Sequence, residues 1–125
     1  MKELTKAEEQ VMRILWKLEE GIVKNILDMM PEPKPAYSTV STVVRVLQTK
    51  GFIKHKAYGN SHVYFPAIEE KDYKNFAIDK IMDGFFDNSY HDLVSFLVNE
   101  KKMTTSDVKE LTKMVEQLTL KDKSK

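Results

Sequence analysis

Residues 38–56 read STVSTVVRVLQTKGFIKHK, and this stretch decides the fold. Ser38 can cap a helix that runs to Lys50, and Gly51 stands in the position where a left-handed residue commonly ends a helix. Apolar residues recur at helical spacing on one face of this predicted third helix, at Val40, Val43, Val44 and Leu47. After Gly51 the spacing changes, because Lys54 and Lys56 alternate with Ile53, His55 and Ala57. The stretch therefore predicts a helix followed directly by a β-strand.

The outward face of the third helix is polar and contains no acid. Its residues are Ser38, Thr39, Ser41, Thr42, Arg45, Gln48 and Thr49. Exposed faces of soluble helices usually combine Glu with Lys, so a face without acids needs an explanation. One interpretation is a β-branched surface helix that only covers a core. The other, which the next segment favours, is a face that contacts DNA.

Residues 52–68 predict a β-hairpin. Tyr58-Gly59-Asn60-Ser61 is a turn sequence, and Val63, Tyr64 and Phe65 continue in a strand-like pattern after it. The hairpin is rich in Lys and aromatic residues. Such a segment can place cations and hydrogen-bond donors against phosphates.

Two helices precede this unit. Thr5 and Glu8 have the spacing of a capping box and open a first helix over about Lys6 to Glu19, which Gly21 stops. A second, shorter helix must end at Pro31, and its apolar face consists of Val23, Ile26, Leu27 and Met30. Three helices followed by a hairpin form the order of a winged helix-turn-helix, in which the last helix enters the major groove.

The fold class predicted from these patterns is mainly α with a small β-hairpin wing. We expect a winged helix-turn-helix DNA-binding domain in residues 1–68 and a helical dimerisation region in residues 69–125. The expected DNA contacts come from the third helix and the wing: Ser38, Thr39, Ser41, Thr42, Arg45, Gln48, Lys50, Lys54, Lys56, Tyr58 and Asn60. The expected partner is double-stranded DNA.

Charge is unevenly distributed along the 125 residues. The formal net charge is only +1, which alone argues against nucleic acid. However, residues 33–68 contain no Asp or Glu, and residues 1–66 carry ten Lys or Arg against seven acids. From residue 67 onward, ten Lys face twelve acids. A winged helix that binds another protein is the alternative, but a protein partner gives no reason to exclude every acid from the middle of the chain.

The C-terminal region predicts three further helices. The first begins at Glu69-Glu70-Lys71-Asp72, the second is capped by Ser89 with Asp92, and the third by Thr104 with Asp107. A tail of this size can hardly bury its own apolar residues, so we expect it to pair with a second copy of the chain. The predicted dimer interface consists of Tyr73, Phe76, Ile81, Leu93, Phe96, Leu97, Val108, Leu111, Val115 and Leu118. A tail folded back on its own winged helix is the alternative.

Composition excludes several classes of protein. The chain has no Cys, which removes disulfides and thiolate metal sites and fits a cytoplasmic location. No apolar run approaches the roughly 20 residues that span a bilayer, so no membrane insertion is expected. The three histidines have no metal-site spacing, and no nucleophile–base pair or glycine-rich phosphate loop is present in the sequence. We therefore expect no enzyme activity, no catalytic residue, no cofactor and no metal.

Four segments resemble the BlaI/MecI penicillinase-repressor family. They are AEEQVMRILWKLEEGIVKNIL (7–27), STVSTVVRVLQTKGFIKHK (38–56), VYFPAIEEKDY (63–73) and, more weakly, LVSFLVNEKKMTTSDVKELTKMVEQL (93–118). The resemblance implies a cytoplasmic homodimeric repressor that binds a palindromic operator through a winged helix. It also implies control of a β-lactamase-type resistance operon or a stress-response operon, in some members through a membrane sensor protease.

Individual positions both follow and depart from the family pattern. Thr39 and Thr42 match threonines of the family's recognition helix, whereas Ser41 and Arg45 replace a larger polar residue and a threonine of other members. Well-known members are inactivated by cleavage of an Asn–Phe bond, where this sequence has Phe96-Leu97. The copper-responsive relatives carry a Cys-rich tail, whereas this chain ends in TLKDKSK. Proteolytic induction is therefore not assumed, and a thiolate metal switch is excluded.

Overall fold

The computed structural model describes residues 1–118 with their side chains and the backbone of residues 119–123. Its elements, in chain order, are α1 (Lys6–Leu18), α2 (Val23–Asp28), α3 (Tyr37–Thr49), β1 (Ile53–Tyr58), β2 (Ser61–Pro66), α4 (Glu70–Phe85), α5 (Tyr90–Asn99) and α6 (Thr105–Lys123). The chain forms two compact units, residues 1–78 and 79–125. The mainly helical fold with one antiparallel hairpin confirms the predicted fold class.

Helix α1 begins at a capping box. The Thr5 side chain accepts a hydrogen bond from the Glu8 backbone N–H, and the Glu8 carboxylate accepts one from the Thr5 N–H. Helix α2 begins with half of such a motif, because the Asn25 side chain accepts from the Ile22 N–H at 2.9 Å. Its C-terminal end is stabilised by the Lys34 ammonium, which donates to the carbonyls of Leu27, Asp28 and Met30.

Helix α3 ends as the sequence predicts but begins differently. Gly51 has φ of +87°, its N–H donates to the Gln48 carbonyl, and the Phe52 N–H donates to the Leu47 carbonyl. These two bonds form a Schellman motif, which needs a left-handed residue at Gly51. The prediction that Ser38 caps the helix is wrong: the N-cap is Ala36, and Ser38 lies inside the first turn. The extended backbone after Pro35 brings the chain into the helix without a side-chain cap.

The hairpin has its turn where the sequence predicts it. Strands β1 and β2 pair antiparallel from Ile53 opposite Pro66 to Tyr58 opposite Ser61, and Gly59 at the turn has φ of +59°. A third, single-residue strand joins them, because Gly21 exchanges both backbone hydrogen bonds with Tyr64. A Cβ on Gly21 would lie 3.2 Å from the Asn25 side chain. This bridge attaches the hairpin to the end of α1.

The core of residues 1–78 joins every element of that unit. Its buried side chains include Val11, Met12 and Leu15 of α1, Ile26 of α2, Val40, Val44 and Leu47 of α3, and Phe52, Ile53 and Tyr64 of the hairpin. Phe52 is fully buried and meets the Tyr73 ring edge-on at 5.7 Å. The Trp16 indole N–H donates to the Ile68 carbonyl at 2.9 Å. These contacts fix α3 and the hairpin in one rigid frame.

The first turns of α4 belong to this core. Tyr73 is buried, and its hydroxyl accepts a hydrogen bond from the Leu4 N–H at 3.1 Å. Phe76 and Ala77 also pack against the cluster. The division between the units therefore lies after Ile78, inside α4, whereas the sequence suggested residue 68. The dimer contact expected of Tyr73 needs correction for the same reason, because its side chain is used inside one chain.

Residues 79–123 form three helical segments, and few of their side chains up to residue 118 are buried. Ser89 accepts from the Asp92 N–H, and Thr104 and Asp107 form a reciprocal capping box, so both predicted starts are confirmed. Phe86 and Phe96 meet edge-on at 5.8 Å. Helix α5 contains no buried residue.

Helices long and apolar enough to cross a membrane are not found among the described residues. Over the same part of the chain, the His, Asp and Glu side chains form no group of three that could hold a metal ion.

Candidate nucleic-acid interface

The outer face of α3 presents most of the predicted DNA contacts together. Ser38, Thr39, Thr42, Arg45 and Thr49 are exposed, and Ser41 and Gln48 are partly exposed. They share this face because Val40, Val44 and Leu47 turn the opposite side into the core. The result is a convex helix surface with one cation, Arg45, among neutral donors and acceptors. Such side chains can hydrogen-bond base edges, and Arg is best suited to guanine.

Two threonines on this face use their hydroxyl protons within the helix. Thr42 Oγ1 donates to the Ser38 carbonyl at 2.9 Å, and Thr49 Oγ1 donates to the Arg45 carbonyl at 3.1 Å. Their hydroxyl oxygens can still accept a hydrogen bond, and the methyl group of each is fixed by the same rotamer. In this arrangement Thr42 and Thr49 can accept from an amino group or pack against a thymine methyl group.

The hairpin contacts the outer face of α3 through Gln48. His55 Nδ1 donates to Gln48 Oε1 at 3.0 Å, which leaves the amide nitrogen of Gln48 as a donor toward a ligand. His55 also stacks on His62 of the opposite strand, with ring centroids 4.6 Å apart. A pocket of about 280 Å³ separates the turn from α3, and Tyr37, Ser41, Asn60 and His62 are among its lining residues.

The predicted wing residues are exposed, and Lys54 lines a pocket of about 380 Å³ together with Gln48 of α3. Lys54, Lys56 and Tyr58 alternate with Ile53, His55 and Ala57, so they share one face of β1. The Lys56 ammonium lies 5.1 Å from the centroid of the Phe65 ring and 3.9 Å from a Glu20 carboxylate oxygen. Both partners of this ion pair are about half exposed, so it is weak and can exchange for a phosphate. Asn60 lies at the exposed turn.

Lys50 is placed apart from the other predicted contacts. Its ammonium forms a 2.7 Å ion pair with Glu8 of α1, and only 22% of its side chain is exposed. Burial alone would raise the pKa of the Glu8 carboxyl, but the hydrogen bonds from Lys50 and Thr5, with the charge of Lys50, lower that pKa. Lys50 is therefore engaged inside the protein.

Two exposed residues on α3 were missed by the sequence reasoning. Tyr37 opens the helix and is more than half exposed, and Val46 is 40% exposed between Arg45 and Leu47. Val46 lies outside the apolar stripe, and a helical-wheel projection of the sequence could have identified it. The stacked histidines had no sequence signal beyond their positions in paired strands.

Many apolar residues of the second unit are exposed in one chain, although Met82 is buried. Ile81, Phe96, Val108, Leu111, Val115 and Leu118 are between 37% and 61% exposed. Leu93 and Leu97 are partly exposed. Isolated apolar side chains are normal on protein surfaces, but a row of them along one helix indicates an interaction surface.

Known proteins with similar sequences include regulatory proteins and repressors. The chain is 26% identical over 110 residues to the methicillin resistance regulatory protein MecI of Staphylococcus aureus strain N315, covering 87% of this chain and 89% of that protein. It is 22% identical over 116 residues to the penicillinase repressor of Bacillus licheniformis, covering 92% and 91%. A solved structure of monomeric B. licheniformis BlaI with the blaP half-operator is 27% identical, covers 58% of this chain and 89% of that one, and has a TM-score of 0.49.

The sequence also matches the penicillinase repressor family model over residues 4–117. That range includes α3, the hairpin and most of the second unit. Because the match covers most of the chain, the protein belongs to the penicillinase repressor family, a family of transcriptional repressors and not of enzymes.

Proposed function

We propose that this protein is a transcriptional repressor that inserts α3 into the major groove of operator DNA and lays the β1–β2 hairpin along the backbone. The observation that supports the proposal most is the acid-free outer face of α3 beside a hairpin with exposed lysines. Ser38, Thr39, Ser41, Thr42, Arg45 and Gln48 then face bases, whereas Lys54, Lys56, Tyr58 and Asn60 face phosphates.

The proposed active form is a homodimer on a palindromic operator. Its support is the exposed apolar row on α6, which a second copy can cover with the same row. A two-fold dimer presents two recognition helices, and the operator then contains two inverted half-sites. Phe76, Ile81, Leu93, Phe96, Leu97, Val108, Leu111, Val115 and Leu118 remain the proposed contacts.

The proposed target is a resistance operon of the β-lactamase type or a stress-response operon, and the proposed location of the protein is the cytoplasm. The supporting relatives are named a methicillin resistance regulatory protein and a penicillinase repressor. A membrane sensor protease is the proposed upstream partner. Cleavage at residues 96–97 is not part of the proposal, because Phe96-Leu97 replaces the Asn–Phe pair that the family resemblance implies.

A salt titration tests the repressor proposal. An operator is first selected from a random duplex library with the purified protein, and its affinity is measured beside that of a random 30-base-pair duplex between 50 and 300 mM KCl. We expect both affinities to fall steeply with salt. In a plot of log affinity against log salt concentration, each contacted phosphate should contribute roughly −0.9 to the slope. Weak binding with a shallow slope would contradict the proposal and favour a protein-binding winged helix.

Two kinds of variant separate base contacts from phosphate contacts. Arg45→Ala is expected to reduce the preference for the selected operator over random DNA by about 1 to 3 kcal/mol, since Arg45 faces base edges. Lys54→Ala is the matched control, because it removes one charge from the wing and should weaken both duplexes about equally. An equal loss on both duplexes for Arg45→Ala would remove Arg45 from base recognition.

A further inference from the structure

The N-terminal segment forms one wall of a groove along the recognition helix. The groove has a volume of about 580 Å³ and is lined by Lys2, Thr42, Arg45, Val46, Thr49 and Lys50. All of its lining residues except Lys2 belong to α3 or to its C-cap. Lys2 is exposed and is the cation that the N-terminal segment contributes to the lining of this groove.

Lys2 lies two residues before the point at which the chain is anchored to the core. Leu4 is buried, and its N–H donates to the Tyr73 hydroxyl. Thr5 caps α1, and Glu8 of the first turn holds Lys50 at the end of α3. Two residues of extended chain span at most about 7 Å, so the backbone of Lys2 stays within that distance of Leu4.

The groove and the hairpin lie on opposite flanks of α3. Gln48 contacts His55 of the hairpin, whereas Val46 lines the groove beside Lys2. Residues two positions apart on a helix point roughly 160° away from each other at 3.6 residues per turn. Arg45 lies between these two flanks and faces outward.

A helix in the major groove has a phosphate backbone on each side. An α-helix with its side chains is about 10–12 Å across, and the major groove is about 12 Å wide. Each flank of α3 therefore meets one backbone. The wing supplies Lys54 and Lys56 on one side, but the α3 cation on the other side, Lys50, is held by Glu8.

We propose that Lys2 binds a DNA phosphate on the flank of α3 opposite the wing, so that the N-terminal segment and the wing hold the two edges of the major groove. This inference rests on the proposed function. Lys50 was among the expected DNA contacts, and the proposal gives Lys2, in place of Lys50, the phosphate contact on this flank. The Glu8–Lys50 ion pair then acts as a positioning contact, since it holds the start of α1 against the end of α3.

The test compares Lys2→Ala with Lys6→Ala in untagged full-length protein. Both variants remove one exposed cation near the N-terminus, but Lys6 lies on α1 and does not line the groove. For Lys2→Ala we expect the log–log salt slope to decrease by about 0.9 on both duplexes, and affinity at 0.15 M KCl to fall roughly five-fold. Lys6→Ala should change the slope much less, and Lys2→Arg should restore it.

Ethylation interference locates the contact. On the selected operator, ethylation of one phosphate in each half-site should weaken the wild-type complex and have no further effect on Lys2→Ala. Lys54→Ala should abolish the effect of ethylation at a different phosphate. If the log–log salt slopes of Lys2→Ala and Lys6→Ala were equal while wild-type binding remained steep in salt, the role of Lys2 would be refuted and the proposed function would stand. Shallow binding by the wild type would instead refute the proposed function.

Discussion

Glu8 is the only buried charged residue in the core of residues 1–78. Its carboxylate accepts hydrogen bonds from the Thr5 N–H at 2.9 Å and the Lys50 ammonium at 2.7 Å. A buried charge is tolerated only when it is paired and hydrogen-bonded. One carboxylate thus completes the cap of α1 and connects α1 to the end of α3. At the scale of single residues, this pair adds a polar contact to the core packing that holds α3 against α1.

The Glu8–Lys50 pair makes stability depend on pH. Burial opposes the charged carboxylate, but Lys50 and Thr5 outweigh it and hold the pKa of Glu8 below its ordinary value of 4.5. A lowered pKa means that the pair stabilises the fold above that value and that this contribution is lost as pH falls through the folded-state pKa. In a double-mutant cycle of Glu8→Gln and Lys50→Met, we expect a coupling free energy of about 1 to 2 kcal/mol at pH 7.

The cycle is measured by urea unfolding at pH 7 and again near pH 3. The coupling should shrink at the lower pH, because Glu8 loses its charge as pH falls through its folded-state pKa. A coupling that is the same at both pH values would show that packing, and not charge, links these two residues.

At the scale of elements, the two ends of α3 have different physical origins. The C-terminal end is determined locally, since only a residue that tolerates positive φ fits the Schellman motif at Gly51. The N-terminal end depends on the backbone that follows Pro35, which the side-chain preference of Ser38 does not encode. A cap is therefore predictable from sequence where one residue type is required, and less so where several are accepted.

Replacing Gly51 should destabilise the fold through the backbone alone. A Cβ at Gly51 would have no heavy atom within 4 Å, so Gly51→Ala introduces no clash but places alanine at φ of +87°. We expect the free energy of unfolding to decrease by about 1 kcal/mol. Gly84→Ala is the matched control: its Cβ would also be free of neighbours, but Gly84 lies in α4 without a positive φ. Thermal unfolding should show Gly84→Ala at or above wild-type stability. If both variants lost equal stability, the backbone explanation would fail.

The sequence predicted the hairpin and most helix boundaries because those depend on short-range patterns. The alternation in residues 53–57 and the Gly59-Asn60 turn specify the register directly. The interior position of Tyr73 could not be read in the same way. Its apolar spacing in α4 is that of any amphipathic helix, and only the tertiary fold brings it to Phe52 and to Leu4. The same limit applies to Lys50, whose partner Glu8 is 42 residues away.

At the scale of the whole molecule, the two units differ in how far they bury their apolar residues. Residues 1–78 bury a continuous cluster that includes every helix and strand of the unit. In residues 79–118, by contrast, α5 buries no residue, and the apolar side chains along α6 are at least one-third exposed. Helices in proteins gain most of their stability from packing an apolar face, and the face of α6 is exposed as far as Leu118. This exposed apolar row is the observation that supports the proposal that the same unit of a second chain covers it.

A substitution at Leu111 tests the proposed dimer interface on α6. It is 37% exposed on α6, in a row with Val108, Val115 and Leu118. We expect Leu111→Asp to convert a dimer into a monomer in light scattering, because a carboxylate facing an apolar interface is strongly desolvated. Thr112→Asp is the matched control, since it adds the same charge one position away at an exposed site. The monomer should keep the core of residues 1–78 and lose most of its affinity for a selected two-half-site operator, while a single half-site is bound almost as before. A dimer unaffected by Leu111→Asp would place the interface outside this row.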